Sequence, residues 1–257
     1  MRITIVGATG LLGSALSREA LERGHDVVAA SRSGRVPEGA DAAARIAVDV
    51  TTGAGLDEAL AGADVVVHAA NSQADAGPVL VDGLGRVAAA AESVGAFTVL
   101  PSIVGCDEAG GAYYRAKASQ ERVLVDRTEA RLIVRIAQFH EFVAWMLGQA
   151  ARRGVSPRGA IPLQPLAAHA AAGALLDRIE RGASGDVLEI AGPERTTVGA
   201  LSRAWARAEG RHLLPVRIPR LIAGAVGRGA LCPEPGTGIT TGPTFEAWLR
   251  DTSLARG

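Results

Sequence analysis

Ile3-Thr4-Ile5-Val6-Gly7-Ala8-Thr9-Gly10-Leu11-Leu12-Gly13 is the stretch that decides the fold. An apolar, β-branched run of strand length breaks into three glycines spaced three apart, and an amphipathic run from Leu11 to Arg23 follows. Glycines at such a juncture allow a tight turn and a close backbone approach. A helix starting there presents unsatisfied N–H groups and the positive end of its dipole. Strand, glycine turn and helix in this order cradle a pyrophosphate. Gly7, Thr9, Gly10, Leu11, Leu12 and Gly13 are the residues expected to form that cradle.

The same alternation continues outward along the chain. Apolar runs at Asp26–Ala30, Arg45–Val50, Val65–Ala69 and Phe97–Leu100 join Ile3–Val6 as five expected buried strands. Ala130–Ile136 reads as a sixth and Asp186–Ile190 as a seventh. Leu11–Arg23, Leu56–Ala61, Pro78–Val94 and Tyr113–Arg127 read as helices between them, and the alanine-rich tract Leu166–Leu176 as another. This predicts an α/β fold, a Rossmann-type doubly wound parallel sheet in three αβα layers. Residues 1–137 with 164–193 make the expected dinucleotide-binding domain. Residues 138–163 with 194–257 hold all three tryptophans and three of the four phenylalanines, and read as a small C-terminal substrate-binding cap.

Composition narrows the partners. The 257 residues are 48% hydrophobic and 21% charged, with zero formal net charge and scattered arginines. A small-molecule substrate is expected, with neither nucleic acid nor membrane as partner. The longest apolar tract is too short to cross a bilayer, and no secretory signal precedes the glycines. Two cysteines, Cys106 and Cys232, build no disulfide framework. The five histidines show no metal-ligand spacing. A reducing cytoplasm and no metal are expected; composition does not bear on the oligomeric state.

The second strand ends in Ala30-Ser31-Arg32-Ser33-Gly34-Arg35, with no carboxylate. An acidic residue there would meet a ribose 2′-hydroxyl, whereas Arg accommodates a 2′-phosphate. Arg32 can fork onto such a phosphate and Ser31 or Ser33 can donate to it, so NADP(H) is expected. Asp49-Val50 is placed to meet the adenine ring. Ala69-Ala70-Asn71 offers small side chains where the cofactor's backbone would pass.

Lys117 is the only lysine among 27 basic residues, and both tyrosines of the chain lie in Tyr113-Tyr114-Arg115-Ala116-Lys117. On a helix Tyr113 and Lys117 are i and i+4 and share a face. A phenol beside an ammonium is suited to handing a proton to a carbonyl oxygen. Free Tyr has a pKa near about 10; a cation roughly 4 Å away, at an effective dielectric of about 20, would lower it by about three units. Tyr114 projects from a different face and reads as structural.

GATGLLG at Gly7–Gly13, the strand end Ser31-Arg32, PSIVG at Pro101–Gly105, YYRAK at Tyr113–Lys117 and RIAQFHEF at Arg135–Phe142 together resemble the short-chain dehydrogenase/reductase superfamily. The likeness is to its extended and atypical NAD(P)H-binding branches, the NmrA-like proteins among them. It covers Met1 to about Arg195. The resemblance implies Tyr113 as catalytic acid/base, with Lys117 binding the nicotinamide ribose and stabilising the phenolate. It implies Ser102 as the residue orienting the substrate oxygen, although PSIVG is closer to a turn of relatives that lack the tyrosine. Phe139, His140 and Phe142 follow the sixth strand, where relatives face the substrate. Either His140 is a second proton-transfer group oriented by Glu141, or it starts a helix whose first turn Glu141 completes. His68 and His169 read as satisfied core histidines.

The expected activity is NADPH-dependent reduction of a carbonyl or quinone-like, apolar small molecule. Trp145, Phe139, Phe142 and Phe245 suggest the apolar substrate. Two alternatives stand beside it: a non-catalytic NADP(H)-sensing regulatory protein, and an NAD-dependent epimerase or dehydratase.

Overall fold

A computed structural model describes residues 1–41, 43–182, 185, 187–218 and 224–254. Asp186 of the expected seventh strand, and 219–223 and 255–257 of the expected cap, lie outside the described residues. The chain forms two compact units. One comprises Met1–Ser102, Gly111–Val134 and Ala172–Leu188; the other Ile103–Gly110, Arg135–Ala171 and Glu189–Gly257.

The first strands and helices follow the alternation read from the sequence: β1 (Arg2–Val6), α1 (Leu11–Glu22), β2 (Asp26–Ser31), β3 (Ala44–Ala47), α2 (Leu56–Leu60) and β4 (Val65–His68). A π-helical turn, Gly77–Asp82, runs into α3 (Gly83–Ser93), followed by β5 (Phe97–Ile103), α4 (Ala112–Arg127) and β6 (Arg131–Ile136). Then come α5 (His140–Arg152), β7 (Val155–Arg158), β8 (Pro162–Leu163), α6 (Ala168–Glu180), β9 (Val187–Ala191) and β10 (Thr196–Thr197). The chain finishes with α7 (Val198–Ala208), β11 (Leu214–Arg217), α8 (Gly224–Arg228), β12 (Ile239–Thr240) and α9 (Phe245–Leu254).

Eight strands form one sheet in the order β12-β9-β6-β5-β4-β1-β2-β3. β1 pairs in parallel with β2 and with β4, β2 with β3, and β4 with β5. The order 3-2-1-4-5-6 within it is that of a doubly wound dinucleotide fold. The order reverses beside β1, so the ends of β1, β2 and β4 frame the crevice where such sheets bind ligands.

In the first unit, Val6, Ala30 and Val66 pack with Leu56, Leu60 and Val87 from the helices. Leu84 and Leu124 of α3 and α4 pack with Leu100 and Ile133. The second unit buries Val143, Leu147, Leu201, Trp205, Phe245 and Leu249 around one another. No described helix is long and apolar enough to cross a membrane.

Four expectations change. β3 is an edge strand with Ala44, Arg45 and Ala47 exposed, so it is not buried on both faces. It stops at Ala47, and Asp49 lies in a turn that bridges to Ala54. Pro101-Ser102-Ile103 belongs to β5, and the turn comes at Gly105, with φ +63°. His169, expected in the core, is exposed on α6.

Candidate active site

β1 ends in a turn at Gly7 with φ +90°. A Cβ on Gly7 would lie 2.5 Å from the Ala70 nitrogen and 2.6 Å from its Cα. The glycine turn and the segment leaving β4 therefore pass backbone against backbone. A Cβ on Gly13 would meet the Gly7 carbonyl oxygen at 2.2 Å, so α1 is seated directly on the turn. No side chain caps α1 and its first turn carries no acidic residue, while Thr9, Gly10 and Leu11 are exposed. The residues present fit a pyrophosphate: open helix-start amides, a dipole of the right sign, and no side chain in the cradle.

At the end of β2, Arg32 and Ser33 are exposed. Ser31 is buried; its hydroxyl donates to the Arg35 carbonyl (3.0 Å) and accepts from the Arg35 amide (3.1 Å). Ser31 thus ties the turn together, leaving Arg32 and Ser33 as the outward-facing pair. Asp49 accepts from the Thr51 hydroxyl (2.7 Å) and amide (2.8 Å). These bonds, with the Arg32 charge adding to them, hold its carboxyl below the usual range. Val50 is buried beside it, against Gly83.

Gly110 and Gly111, both at positive φ, lead into α4. The Tyr113 hydroxyl donates to Asn71 Oδ1 at 3.0 Å, and Asn71 is the residue after the Ala69-Ala70 backbone that Gly7 touches. Burial raises the Tyr113 pKa and Asn71 opposes that in part. The direction is upward, opposite to the lowering expected from a neighbouring cation, because removal of the phenol from water is the largest influence on it. One turn on, the buried Lys117 ammonium donates to the Pro101 carbonyl (2.9 Å) and to Gln120 Oε1 (2.6 Å). Ser102 is buried on β5, next to that carbonyl.

His68 ends β4 at 1% exposure. Neither of its ring nitrogens makes a well-formed hydrogen bond among the described residues, the Val79 backbone being the polar group beside it. Burial first, and then the Lys117 charge, pull its pKa to about 3, with only the Val79 backbone acting the other way. It stays neutral.

The second unit holds Phe139, His140 and Phe142. Phe139 precedes α5 and bridges to Leu166. His140 is fully buried, donates from Nε2 to the Pro243 carbonyl (3.1 Å), and lies against the rings of Phe245 and Trp248. Burial lowers its pKa, Pro243 opposing. His140 starts α5 and Glu141 lies in its first turn; both Glu141 oxygens accept from the Ala168 amide at 3.2 Å, which caps α6. Phe142 is exposed and stacks on the exposed Trp145, whereas Phe245 is core.

The structure therefore joins the cradle, Asn71 and Tyr113 in one continuous set. Sequence reasoning missed Gln120 as the partner of Lys117. The i, i+3 spacing on α4 was the available signal.

Fold and cradle together define a Rossmann-type α/β protein with a glycine-rich first turn between β1 and α1. Residues 3–79 match the NAD dependent epimerase/dehydratase family. Uncharacterized proteins of Mycobacterium tuberculosis and Mycobacterium bovis are 35% identical over 95 residues, a stretch that is 37% of this chain but 11% of theirs. Among solved structures, a nucleoside-diphosphate-sugar epimerase from Staphylococcus aureus superposes with a TM-score of 0.79 at 16% identity, covering 97% of this chain and 100% of the other. An NADPH-dependent quinone oxidoreductase from Escherichia coli, solved with NADPH, gives 0.78 at 19% identity, over 97% and 99%. A dTDP-4-dehydrorhamnose reductase from Bacillus anthracis, solved with NADP, gives 0.74 at 16%, over 99% of both chains. The structural likenesses show the Rossmann-type fold, and the match of residues 3–79 is in keeping with the resemblance read from the sequence.

Proposed function

We propose that this chain is an NADPH-dependent oxidoreductase of the short-chain dehydrogenase type, reducing a carbonyl or quinone-like small molecule with Tyr113 as proton donor. The observation that carries this reading is the bond from the Tyr113 hydroxyl to Asn71. It stands a phenolic proton beside the backbone that closes the glycine cradle.

Gly7, Gly10 and Gly13 would take the pyrophosphate, Arg32 and Ser33 a 2′-phosphate, and Asp49 and Val50 the adenine. Ala69, Ala70, Asn71 and Lys117 would line the rest of the dinucleotide. A reduced nicotinamide held there supplies hydride to the substrate carbon. The chain's own contribution is the proton. Burial keeps Tyr113 protonated at neutral pH, the form a reductase starts from. Tyr113 releases its proton to the substrate oxygen, Ser102 orients that oxygen, and the Lys117 ammonium offsets the charge left on the phenolate. An apolar substrate is inferred from Phe142 and Trp145, the aromatic side chains the second unit leaves exposed.

The match of residues 3–79 favours a second reading, an NAD-dependent epimerase or dehydratase. Arg32 in place of a carboxylate weighs against it. An epimerase returns its cofactor unchanged, so net oxidation of NADPH across a panel of ketones, aldehydes and quinones divides the two. Tyr113→Phe is expected to cut that turnover by about 100-fold or more while still binding NADPH, and Arg32→Ala to weaken NADPH but not NADH. Undiminished turnover in Tyr113→Phe removes Tyr113 as the acid, and binding of NADPH without any oxidation in the panel shifts the reading to the epimerase class.

A further inference from the structure

We propose that Asn71 is the positioning residue for Tyr113. Its side-chain amide accepts the phenolic hydrogen at rest and, turned about its terminal C–C bond, donates Nδ2–H to the phenolate once that hydrogen has left. This rests on Tyr113 being the acid of the reaction proposed above.

Asn71 Oδ1 lies 3.0 Å from the Tyr113 hydroxyl oxygen. Asn71 lies three residues beyond β4 and is exposed, but it directly follows Ala70, whose backbone passes closely against Gly7, and that approach places its amide at Tyr113. The titratable and charged groups around the phenol are few. Tyr114 stands beside it on α4 with the rings edge to face at 5.6 Å. Lys117 is one turn on, engaged by Pro101 and Gln120, and His68 is held neutral at the end of β4.

A carboxylate at position 71 could hold a neutral phenol but would repel a phenolate. A hydroxyl-free small side chain could do neither. An amide carries both an acceptor and a donor on the same short stem, so it can follow the proton. In the step itself, the Tyr113 O–H bond breaks as the substrate O–H bond forms. The amide exchanges one hydrogen bond for another and is not itself chemically changed.

The sequence offers a direct test, because Tyr113 and Tyr114 are the only tyrosines. Tyr114→Phe in the full chain leaves Tyr113 as the sole phenol, whose ionisation is read from tyrosinate absorbance without cofactor or substrate. Against that parent, Asn71→Asp and Asn71→Ala are both expected to raise the midpoint by about one pH unit or more, the scale of a lost hydrogen bond to a charged group. At neutral pH, where every variant can be checked for folding by circular dichroism, the Raman tyrosine doublet reports whether the phenol donates. Asn71→Asp should retain the donor signature of the parent and Asn71→Ala should lose it. A midpoint that stays or falls in Asn71→Ala, or a doublet that does not respond to it, overturns the proposal. Neither readout uses turnover, so a panel without a reducible substrate would count against the oxidoreductase reading alone.

Discussion

Protonating His68 where it sits would create a cation cut off from water, at the end of β4, within reach of the Lys117 charge. Its pKa of about 3 in the fold stands against about 6.5 in an unfolded chain. The direction of the linkage follows. As pH falls through about 6.5 the unfolded chain takes up a proton that the folded chain refuses until about 3, so stability drops across that window and is intact above it. His68→Leu keeps an apolar side chain in the strand and removes the titration. Urea midpoints measured through the window should fall less steeply in that variant than in the parent. An equal slope would move the acid sensitivity to another buried group, with His140 the next candidate.

At the scale of elements, legibility tracked how local the deciding contacts are. The cradle was readable because its steric demands are written in adjacent residues: Gly7 and Gly13 have no room for a Cβ, and the sequence places a strand before them and a helix after. Tyr113 and Lys117 were readable as one face of α4 from their spacing alone. Asn71 as the partner of Tyr113 was not, since the two are 42 residues apart and meet only once β4 and α4 are both placed. Glu141 shows the same limit. Its position at a helix start suggests a local cap, yet it caps the helix beginning at Ala168. β3 failed for a different reason, because an apolar run does not say whether a strand has one neighbour or two; β3 pairs with β2 alone. The phenol's proton affinity was misjudged because a helical spacing gives a direction to Lys117 but no measure of how far water is excluded.

At the scale of the whole molecule, the longest-range ion network among the described residues ties the C-terminal end of α1 to α6. Arg23 donates to Glu19 (2.9 Å), Asp177 (2.7 Å), Glu180 (2.9 Å) and the Gly173 carbonyl (3.2 Å). Glu180 also accepts from His25 at 2.8 Å. Burial works against the Arg23 charge, but the bonds to Asp177 and Glu19 and the field of Glu180 outweigh it and raise its pKa. The His25 bond, and then the Arg23 charge, hold the Glu180 carboxyl below its usual range. A depressed carboxyl stabilises the fold above its unfolded value of about 4.3, and that contribution is lost as pH falls through the folded value. The group is partly exposed, so water and salt screen much of it. Glu180→Gln should therefore lower Tm by no more than roughly 2–4 °C at neutral pH and low salt. The gap should close in high salt, and close again below about pH 4. This window lies mostly beneath that of His68, so the two acid responses separate: the histidine variant flattens the upper part of the curve and the glutamate variant the lower. A Tm for Glu180→Gln equal to the parent's at low salt would mean that the network orders these helix ends without stabilising them.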